Sequence, residues 1–294
     1  MAKQQHFGGS WTDEKLERLR KYLHAYTKIF AKNIKAQYFT TVYVDAFAGT
    51  GYRSKASPTS QQPVILEELA AADNQEFLKG SARIALEVEP PFKRYIFVEK
   101  NPSYAAELQK LKTEFSTKDI MIVEEDANVF LQNWCAKTDW KRHRAVVFLD
   151  PYGMEVEWKT IESIARTKAI DLWLLFPLGV AVNRLLTRGR KPDPAYKRAL
   201  DRMFGTEEWE QAFYSLQTKR TLFGEDQATV KDADFDTIEK FFIERLQSVF
   251  VAVAENPLPL LNSTNVPLYL LCFAAGNPKG AEIAVKIANY ILTR

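Results

Sequence analysis

The chain has 294 residues, of which 46% are hydrophobic and 26% charged, as in an ordinary soluble globular protein. Its net charge of +3 is too small to indicate a kind of partner, because the distribution of charge matters more than the sum. Two distant cysteines, Cys135 and Cys272, lie in apolar segments, and three histidines are scattered. This pattern gives no disulfide framework and no metal-ligand spacing, and we expect both cysteines to be buried.

The beginning of the chain lacks the apolar stretch of a secretory signal peptide. The longest apolar run, residues 172–182, is far shorter than the ~20 residues that a membrane-spanning helix needs. We therefore expect a cytoplasmic protein that does not span a membrane.

The chain opens with an amphipathic helix and continues as alternating strands and helices. Ser10 and Asp13 resemble a capping box, and apolar residues at helical spacing then predict a helix over residues 10–37. The following strands are predicted at residues 41–47, 94–99, 120–124, 145–150 and 170–176, with helices at 63–72, 81–88, 102–115, 127–137 and 158–166. Four of the strands are continuous apolar runs, which are typical of strands buried on both faces. The alternation predicts a doubly wound, mostly parallel α/β sheet.

Residues 184–249 interrupt this alternation and are predicted to form a helical insertion over the carboxyl ends of the strands in a single domain, residues 1–294. The segment is polar and charged, with helices predicted at 207–216 and 236–249. Strands at 250–254 and 268–275 and a last helix at 281–292 are expected to close the fold.

The first predicted strand ends in the stretch DAFAGTG, residues 45–51. Glycines there let the backbone approach a ligand closely, although a glycine-rich turn without a ligand is an alternative. A phosphate-binding loop would need Ser or Thr after its lysine, but Lys55 is followed by Ala56. A dinucleotide fingerprint could use Ser54 as its third small residue, but it does not require Asp45.

A third interpretation uses the acid, because D-x-F-x-G-x-G resembles the first motif of class I S-adenosylmethionine-dependent methyltransferases. This variant of the motif is typical of nucleic-acid methyltransferases. The resemblance implies that Asp45, Ala46, Phe47, Gly49 and Gly51 bind the methionine end of S-adenosylmethionine, with the Asp45 carboxylate holding the ammonium group.

Two later strand ends match the same family pattern. The stretch FVEKNP places Glu99 where a carboxylate can accept hydrogen bonds from both ribose hydroxyls. The stretch VEEDAN places Asp126 and Ala127 near the adenine amino group. Each acid taken singly could instead be a helix N-cap. Glu99 lies 48 residues after Gly51, so we expect an insertion between the first and second strands.

The fourth predicted strand ends in Asp150-Pro151-Tyr152-Gly153. This stretch resembles the Asp-Pro-Pro-Tyr type of motif in enzymes that methylate amines of DNA and RNA, and the Asp-Pro-Phe-Gly of tRNA guanosine dimethyltransferases. The resemblance implies that the Asp150 side chain and the Pro151 carbonyl accept hydrogen bonds from the target amine, while Tyr152 stacks on the base. A Pro-Gly turn that merely ends the strand is the alternative.

Residues 184–202 carry seven positive and two negative side chains. Because this segment follows the fifth strand, we expect it to overhang the cofactor face and to bind a nucleic acid. The residues expected nearest to the substrate are Asn183, Arg184, Arg188 and Arg190. A solvated helical face is the alternative.

The whole chain resembles the three-Cys-motif partner (TcmP) family. The resemblance rests on HFGGSW, YVDAFAGTGYR, FVEKNP, VVFLDPYGMEVEW, DLWLLFPLGVAVNRLL and PLYLLCFAAGNPKG. It implies a class I methyltransferase-like protein with S-adenosylmethionine as cofactor, whose genomic companion carries three cysteines and resembles radical S-adenosylmethionine proteins. We expect a nucleic-acid methyltransferase. A non-catalytic protein that works with that companion, or a methyltransferase for a protein or small molecule, remains open.

Overall fold

The computed structural model describes residues 10–48, 80–151, 153–187, 191–221 and 224–293. The side chains of Ser10 and of residues 217–228 are not described. The helix predicted at residues 63–72 lies outside the described residues.

Helices and strands alternate along most of the chain. The strands are β1 Thr40–Ala46, β2 Arg94–Val98, β3 Ile120–Val123, β4 His143–Leu149, β5 Ile170–Phe176, β6 Tyr214–Thr221, β7 Gly224–Lys231, β8 Ala252–Val253, β9 Leu258–Leu261 and β10 Pro267–Ala275. The helices are α1 Ser10–Lys32, α2 (described over residues 80–87), α3 Pro102–Glu114, α4 Ala127–Lys137, α5 Trp158–Arg166, α6 Asn183–Leu185, α7 Pro194–Phe204, α8 Trp209–Phe213, α9 Phe235–Gln247 and α10 Ala281–Leu292. A π-helical turn, Leu178–Val182, joins β5 to α6.

The central sheet has the strand order β3-β2-β1-β4-β5-β10-β8, and β9 pairs with β10. Strands β1 to β5 are parallel, whereas β10 runs antiparallel to both β5 and β8. The predicted doubly wound, mostly parallel α/β fold is therefore confirmed. The strand order reverses at the β1–β4 pair, and in such sheets ligands bind outside the carboxyl ends of the strands at this switch point.

Both faces of the sheet are apolar, because alternate residues of each strand point to opposite faces. Val42 and Val44 of β1 lie in one buried layer with α4, α5, α7, α8 and α9. Tyr43 lies in the other layer with α1, α2, α3 and α10. Cys135 and Cys272 are both buried, as predicted. No helix within the described ranges has the length and apolar surface that a bilayer crossing demands.

Helix α1 ends at Lys32, five residues earlier than predicted. The Asn33 side chain accepts a hydrogen bond from the Lys35 backbone N–H at 3.0 Å. The Gln37 amide donates to the Ala31 carbonyl at 2.7 Å. Asparagine competes with helical hydrogen bonding in this way, so the apolar pattern alone predicted too long a helix.

The insertion is only partly helical, which corrects the expectation for residues 184–249. Residues 214–231 form the two-stranded antiparallel sheet β6–β7, and the helix predicted over 207–216 is limited to α8. Tyr214 has extended backbone angles, φ −131° and ψ 139°. Polar strands of this kind are held by cross-strand pairing, which a scan for apolar helical periodicity does not detect. The return helix is present as α9. The position of the whole insertion, residues 184–249, over a bound cofactor stays a prediction.

Candidate functional site

The carboxyl ends of β1, β2 and β4 lie side by side at one edge of the sheet. Ala46 pairs with Val98 of β2 and with Leu149 of β4. Glu99 and Asp150 are the next residues along β2 and β4, so they flank the end of β1. The structure thereby brings three strand-end acids, Asp45, Glu99 and Asp150, to the switch point of the sheet.

A cleft opens beside these strand ends. Four of the residues predicted to bind the cofactor line it, namely Phe47, Glu99, Asp126 and Ala127. Val98, Lys100, Glu125 and Glu155 complete the lining, and Asp45 and Asp150 are not among the described residues that form its wall.

Phe47 has a φ of 67°, in the left-handed region that side-chain-bearing residues rarely adopt. The backbone N–H of Ala48, the next residue, donates to the Val98 carbonyl at 3.0 Å. The chain therefore turns sharply across the end of β2 directly after β1. Local strain of this kind is concentrated at binding sites, where the surrounding structure holds it in place.

Asp45 is only 1% exposed, and Ala46 beside it is completely buried. The Tyr43 hydroxyl donates to Asp45 Oδ2 at 3.3 Å, and the Ser81 side chain also hydrogen bonds to the carboxylate. Burial, with a smaller contribution from the charge of Asp150, raises the pKa of Asp45 to about 7, against the opposing effects of the hydrogen bonds from Ser81 and Tyr43 and of the charge of Lys15. A cationic ligand beside Asp45 would favour the ionised form.

Glu99 is also 1% exposed. Its Oε1 accepts a hydrogen bond from the Asn101 backbone N–H at 2.7 Å. Within the described part of the chain its Oε2 is buried without a hydrogen-bond partner. Burial raises the pKa of Glu99 to about 7, although the Asn101 N–H opposes the shift. One carboxylate oxygen is thus oriented by the turn, and the other lacks the donor that a buried acceptor normally has.

Asp126 is the N-cap of α4. Its Oδ1 accepts hydrogen bonds from the backbone N–H groups of Asn128 and Val129, at 2.9 and 3.2 Å. The alternative of a helix N-cap is therefore confirmed for this acid. The side chain is exposed at the cleft and retains Oδ2, which can accept a hydrogen bond from a ligand amine.

Asp150 forms a buried ion pair with Lys15 of α1. Lys15 Nζ lies 3.3 Å from both Oδ1 and Oδ2, and the two side chains are 1% and 8% exposed. Burial raises the pKa of Asp150, and the Lys15 ammonium opposes this shift. Pro151 is buried directly after Asp150, and Gly153 has a φ of 63°.

Lys15 was not predicted as a site residue, although the sequence carries a signal for it. Trp11, Lys15, Leu19 and Tyr22 recur at helical spacing, so a lysine stands within the apolar stripe of α1. All four side chains are buried. A charged residue at such a position is almost never fully buried unless it is paired.

Lys100 and Glu155, which the sequence did not indicate as site residues, line the cleft and form an ion pair. Lys100 Nζ lies 3.4 Å from Glu155 Oε1, and the other Glu155 oxygen is buried without a hydrogen-bond partner in the described chain. Asn128 fixes the segment that carries Glu155, because its Nδ2 donates to the Glu155 carbonyl at 2.9 Å. Its Oδ1 accepts from the Thr160 hydroxyl at 2.8 Å. The amide thereby ties α4 to the connection between β4 and α5.

The predicted substrate residues lie beyond the end of β5. Asn183 begins α6, and its side-chain and backbone oxygens accept hydrogen bonds from Lys231 Nζ at the end of β7. Arg184 is exposed on the same helix. Arg188 and Arg190 lie outside the described residues, as do Gly49, Gly51 and Tyr152.

Part of the basic run is neutralised within the insertion. Lys191 Nζ is 2.7 Å from a Glu210 carboxylate oxygen. Lys197 Nζ lies 2.9 Å from Asp201, 2.8 Å from Glu207 and 3.1 Å from Glu210. The two lysines therefore contribute less to an outward positive field than the sequence count indicates.

No family model and no curated protein matches this chain. Solved structures similar to it include a candidate methyltransferase, yhhF, from Escherichia coli, with 13% identity, 74% of this chain and 87% of that chain covered, and a TM-score of 0.29. Protein LPL1258 from Legionella pneumophila has 15% identity, 82% and 93% coverage, and a TM-score of 0.39. An rRNA methylase from Streptococcus thermophilus has 9% identity, 72% and 96% coverage, and a TM-score of 0.27. At these values neither an activity nor a substrate follows from the similarity.

The class of the protein is defined by its sheet. Five parallel strands are followed by β10, which runs antiparallel between β5 and β8. This mixed, mostly parallel sheet with helices on both faces is a doubly wound, Rossmann-like α/β fold.

Proposed function

We propose that this protein is an S-adenosylmethionine-dependent methyltransferase and that the cleft beside Glu99 binds the adenosine part of the cofactor. The observation that carries the proposal is the Glu99 carboxylate, with one oxygen held by the Asn101 N–H and the other buried without a hydrogen-bond partner among the described residues. An unsatisfied buried acceptor costs roughly 1–3 kcal/mol. A ribose supplies hydroxyl donors that would satisfy it with charge-assisted hydrogen bonds.

The neighbouring residues fit the rest of such a cofactor. Asp126 retains one carboxylate oxygen at the cleft for an adenine amino group, and Ala127 lines the same wall. Asp45 is a buried acid with raised pKa, which an α-ammonium group would stabilise in its ionised form. Phe47 turns the chain over this position. The bound cofactor would supply a methyl group on a sulfonium, with a good leaving group.

We assign Asp150, Pro151 and Tyr152 to the acceptor. The Asp150 carboxylate and the Pro151 carbonyl would accept hydrogen bonds from a target amine, which directs the nitrogen lone pair toward the methyl group. The new N–C bond would form as the C–S bond of the sulfonium breaks with release of the thioether, and the methylated nitrogen would then lose one proton to water. Asp150 would also stabilise the positive charge that develops on nitrogen. The Tyr152 ring would stack on a planar base. The likeness of this motif to those of amine-methylating enzymes supports an exocyclic amine of a nucleic acid as the acceptor.

We propose that the nucleic acid binds against Asn183, Arg184, Arg188 and Arg190. We also propose that the chain belongs to the three-Cys-motif partner family. A physical complex with the three-cysteine protein is part of this proposal. The alternative is a non-catalytic partner protein, in which the ion pair of Asp150 with Lys15 would contribute to stability alone.

The direct test uses S-adenosylmethionine with a labelled methyl group and total RNA or DNA as acceptor. We expect wild-type protein to label one of the two nucleic acids. Asp150→Asn should abolish labelling, whereas Asp119→Asn, which changes an exposed aspartate paired with Arg94, should leave it intact. Binding of the cofactor without transfer to either nucleic acid, alone or with the three-cysteine protein present, would support the non-catalytic candidate.

A further inference from the structure

We infer that Lys15 is a positioning residue of the active site, whose ammonium group orients the Asp150 carboxylate and provides the positive charge for both Asp150 and Asp45. This inference rests on the proposed function, because it assigns α1 to the machinery that would receive the acceptor amine. It extends the site to a helix that precedes all the cofactor motifs in the chain.

The burial of Lys15 carries the first part of the argument. The side chain is 1% exposed, and it projects from α1 into a layer that also contains Leu19 and Tyr22. Removing an ammonium group from water is unfavourable unless an opposite charge compensates it. The Trp11 ring, one helical turn away, lies 4.6 Å from Nζ and adds a weaker attraction. In the part of the chain that the structure describes, Asp150 is the carboxylate that pairs with this charge.

The distances indicate what kind of contact this is. Nζ lies at the same distance, 3.3 Å, from both Asp150 oxygens. A short charge-assisted hydrogen bond would measure about 2.7–2.9 Å. The contact therefore orients the carboxylate symmetrically by charge without occupying either oxygen with a short bond. The carboxylate remains able to accept a shorter hydrogen bond from an incoming amine.

Lys15 also acts on Asp45, the acid proposed to hold the ammonium group of the cofactor. Its charge lowers the pKa of Asp45, whereas the charge of Asp150 raises it. Within the described ranges, the other groups that face Asp45 are the hydroxyls of Tyr43 on β1 and Ser81 on α2, and both donate hydrogen bonds to the carboxylate. Of the described cations, Lys15 is the one that acts on both acids.

The chemical consequence concerns the protonation state of Asp150. An ionised carboxylate accepts hydrogen bonds only, whereas a protonated one also donates and would direct a hydrogen at the acceptor nitrogen. Burial raises the pKa of Asp150, so without Lys15 a larger fraction would be protonated at neutral pH. Lys15 thereby maintains the form that an amine acceptor requires.

The test is a pH titration of the aspartate side chains in the cofactor-free protein, followed by NMR of ¹³Cγ-labelled Asp. Variants Asp150→Asn and Asp45→Asn assign the two signals. In Lys15→Met we expect the titration midpoint of Asp150 to rise by roughly one pH unit or more, which means a tenfold or greater change in its protonation equilibrium. The midpoint of Asp45 should rise in the same direction.

Arg18→Met is the matched control. Arg18 is a second buried cation on the same helix, 8% exposed, and it donates to the Ile291 carbonyl and to Glu14, both at 2.8 Å. Its loss disturbs the packing of α1 on α10 without touching either acid. We expect both aspartate midpoints to stay unchanged in this variant.

An unchanged Asp150 midpoint in folded Lys15→Met overturns the inference, and so does an equal shift in Arg18→Met. If Lys15→Met does not fold, the double variant Lys15→Met/Asp150→Asn is used. If the double variant folds, the result supports the ion pair of Lys15 with Asp150. If the double variant does not fold although Arg18→Met does, Lys15 has only a structural role. The titration needs no cofactor. A wild-type protein that binds no S-adenosylmethionine would therefore refute the proposed function separately.

Discussion

A substitution of Glu99 is the simplest test of the proposal that the cleft beside it binds adenosine. Glu99→Gln keeps the shape of the side chain but removes the charge that strengthens hydrogen bonds from ribose hydroxyls. Hydrogen bonds to a charged group contribute about 1.5–3 kcal/mol, so we expect affinity for S-adenosylmethionine to fall roughly 10- to 100-fold. Isothermal titration calorimetry measures this directly.

The control for that measurement is Glu114→Gln. Glu114 is an exposed glutamate that pairs with Arg83 on the protein surface, 2.7 Å away. Its substitution should leave the affinity unchanged. Equal affinities of wild-type protein and Glu99→Gln would remove Glu99 from the cofactor site.

Asp126 caps α4 and has a proposed second role in binding the cofactor, and different substitutions can separate the two. Asp126→Ala removes both the helix cap and the ligand oxygen, and loss of a cap costs about 1 kcal/mol of unfolding free energy. Asp126→Ser retains a capping oxygen for the Asn128 and Val129 N–H groups but lacks the carboxylate. We expect the serine variant to unfold at nearly the wild-type urea concentration and to bind S-adenosylmethionine more weakly. A serine variant with wild-type affinity would leave Asp126 as a cap alone.

At the scale of elements, the contact between α7 and α5 anchors the insertion beside the site. Gly205 ends α7 with a φ of 66°, and a Cβ there would lie 2.1 Å from the Trp158 ring at the start of α5. The Arg245 guanidinium of α9 lies 4.5 Å from the centre of the same ring. The backbone of α7 therefore has to approach α5 closely.

Gly205→Ala and Gly153→Ala form a matched pair for this contact. Both glycines have a φ near +65°, but a Cβ at Gly153 would meet no atom of the described, non-adjacent residues within 4 Å. Both variants carry the left-handed backbone penalty of roughly 1–2 kcal/mol. We expect Gly205→Ala to lose clearly more unfolding free energy in urea, because the clash with Trp158 adds to it. Equal losses would contradict the close packing of α7 on α5.

The elements that could be predicted from sequence are those whose pattern reflects burial. Strand β5 and helices α4, α5 and α10 have the predicted bounds, because apolar runs and apolar periodicity report directly on the core. The hairpin β6–β7 could not be predicted this way, since its polar strands are held by pairing with each other. The ion pair of Lys15 with Asp150 joins residues 135 positions apart, so only the folded chain reveals it.

At the scale of the whole molecule, buried carboxylates determine the expected pH dependence of stability. Asp45, Glu99 and Asp171 each have a pKa raised to about 7, chiefly by burial. Between their unfolded pKa values of ~4 and pH 7 the folded state binds more protons than the unfolded state. These groups therefore make the protein less stable as pH rises through this window.

We expect the midpoint of thermal unfolding to fall by several degrees between pH 5 and pH 8 in the absence of ligand. Asp171 gives a control because it lies at the amino end of β5, away from the candidate site at the carboxyl ends of the strands. The Tyr22 hydroxyl donates a hydrogen bond to it at 2.8 Å. Asp171→Asn should flatten the pH dependence in part and leave cofactor binding intact. A midpoint of thermal unfolding that rises steadily from pH 5 to pH 8 would show that folding does not raise the pKa values of these acids.

The most direct test of the central claim, a site for S-adenosylmethionine at the switch point of the sheet, is thermal unfolding with and without that ligand. At 100 times its dissociation constant a ligand stabilises the folded state by ~2.7 kcal/mol. Each kcal/mol moves the midpoint of a large domain by ~2–4 °C. The account predicts a shift of several degrees with S-adenosylmethionine, none with NADH, and loss of the shift in Asp45→Ala. No shift in wild-type protein, or an equal shift with NADH, would contradict it.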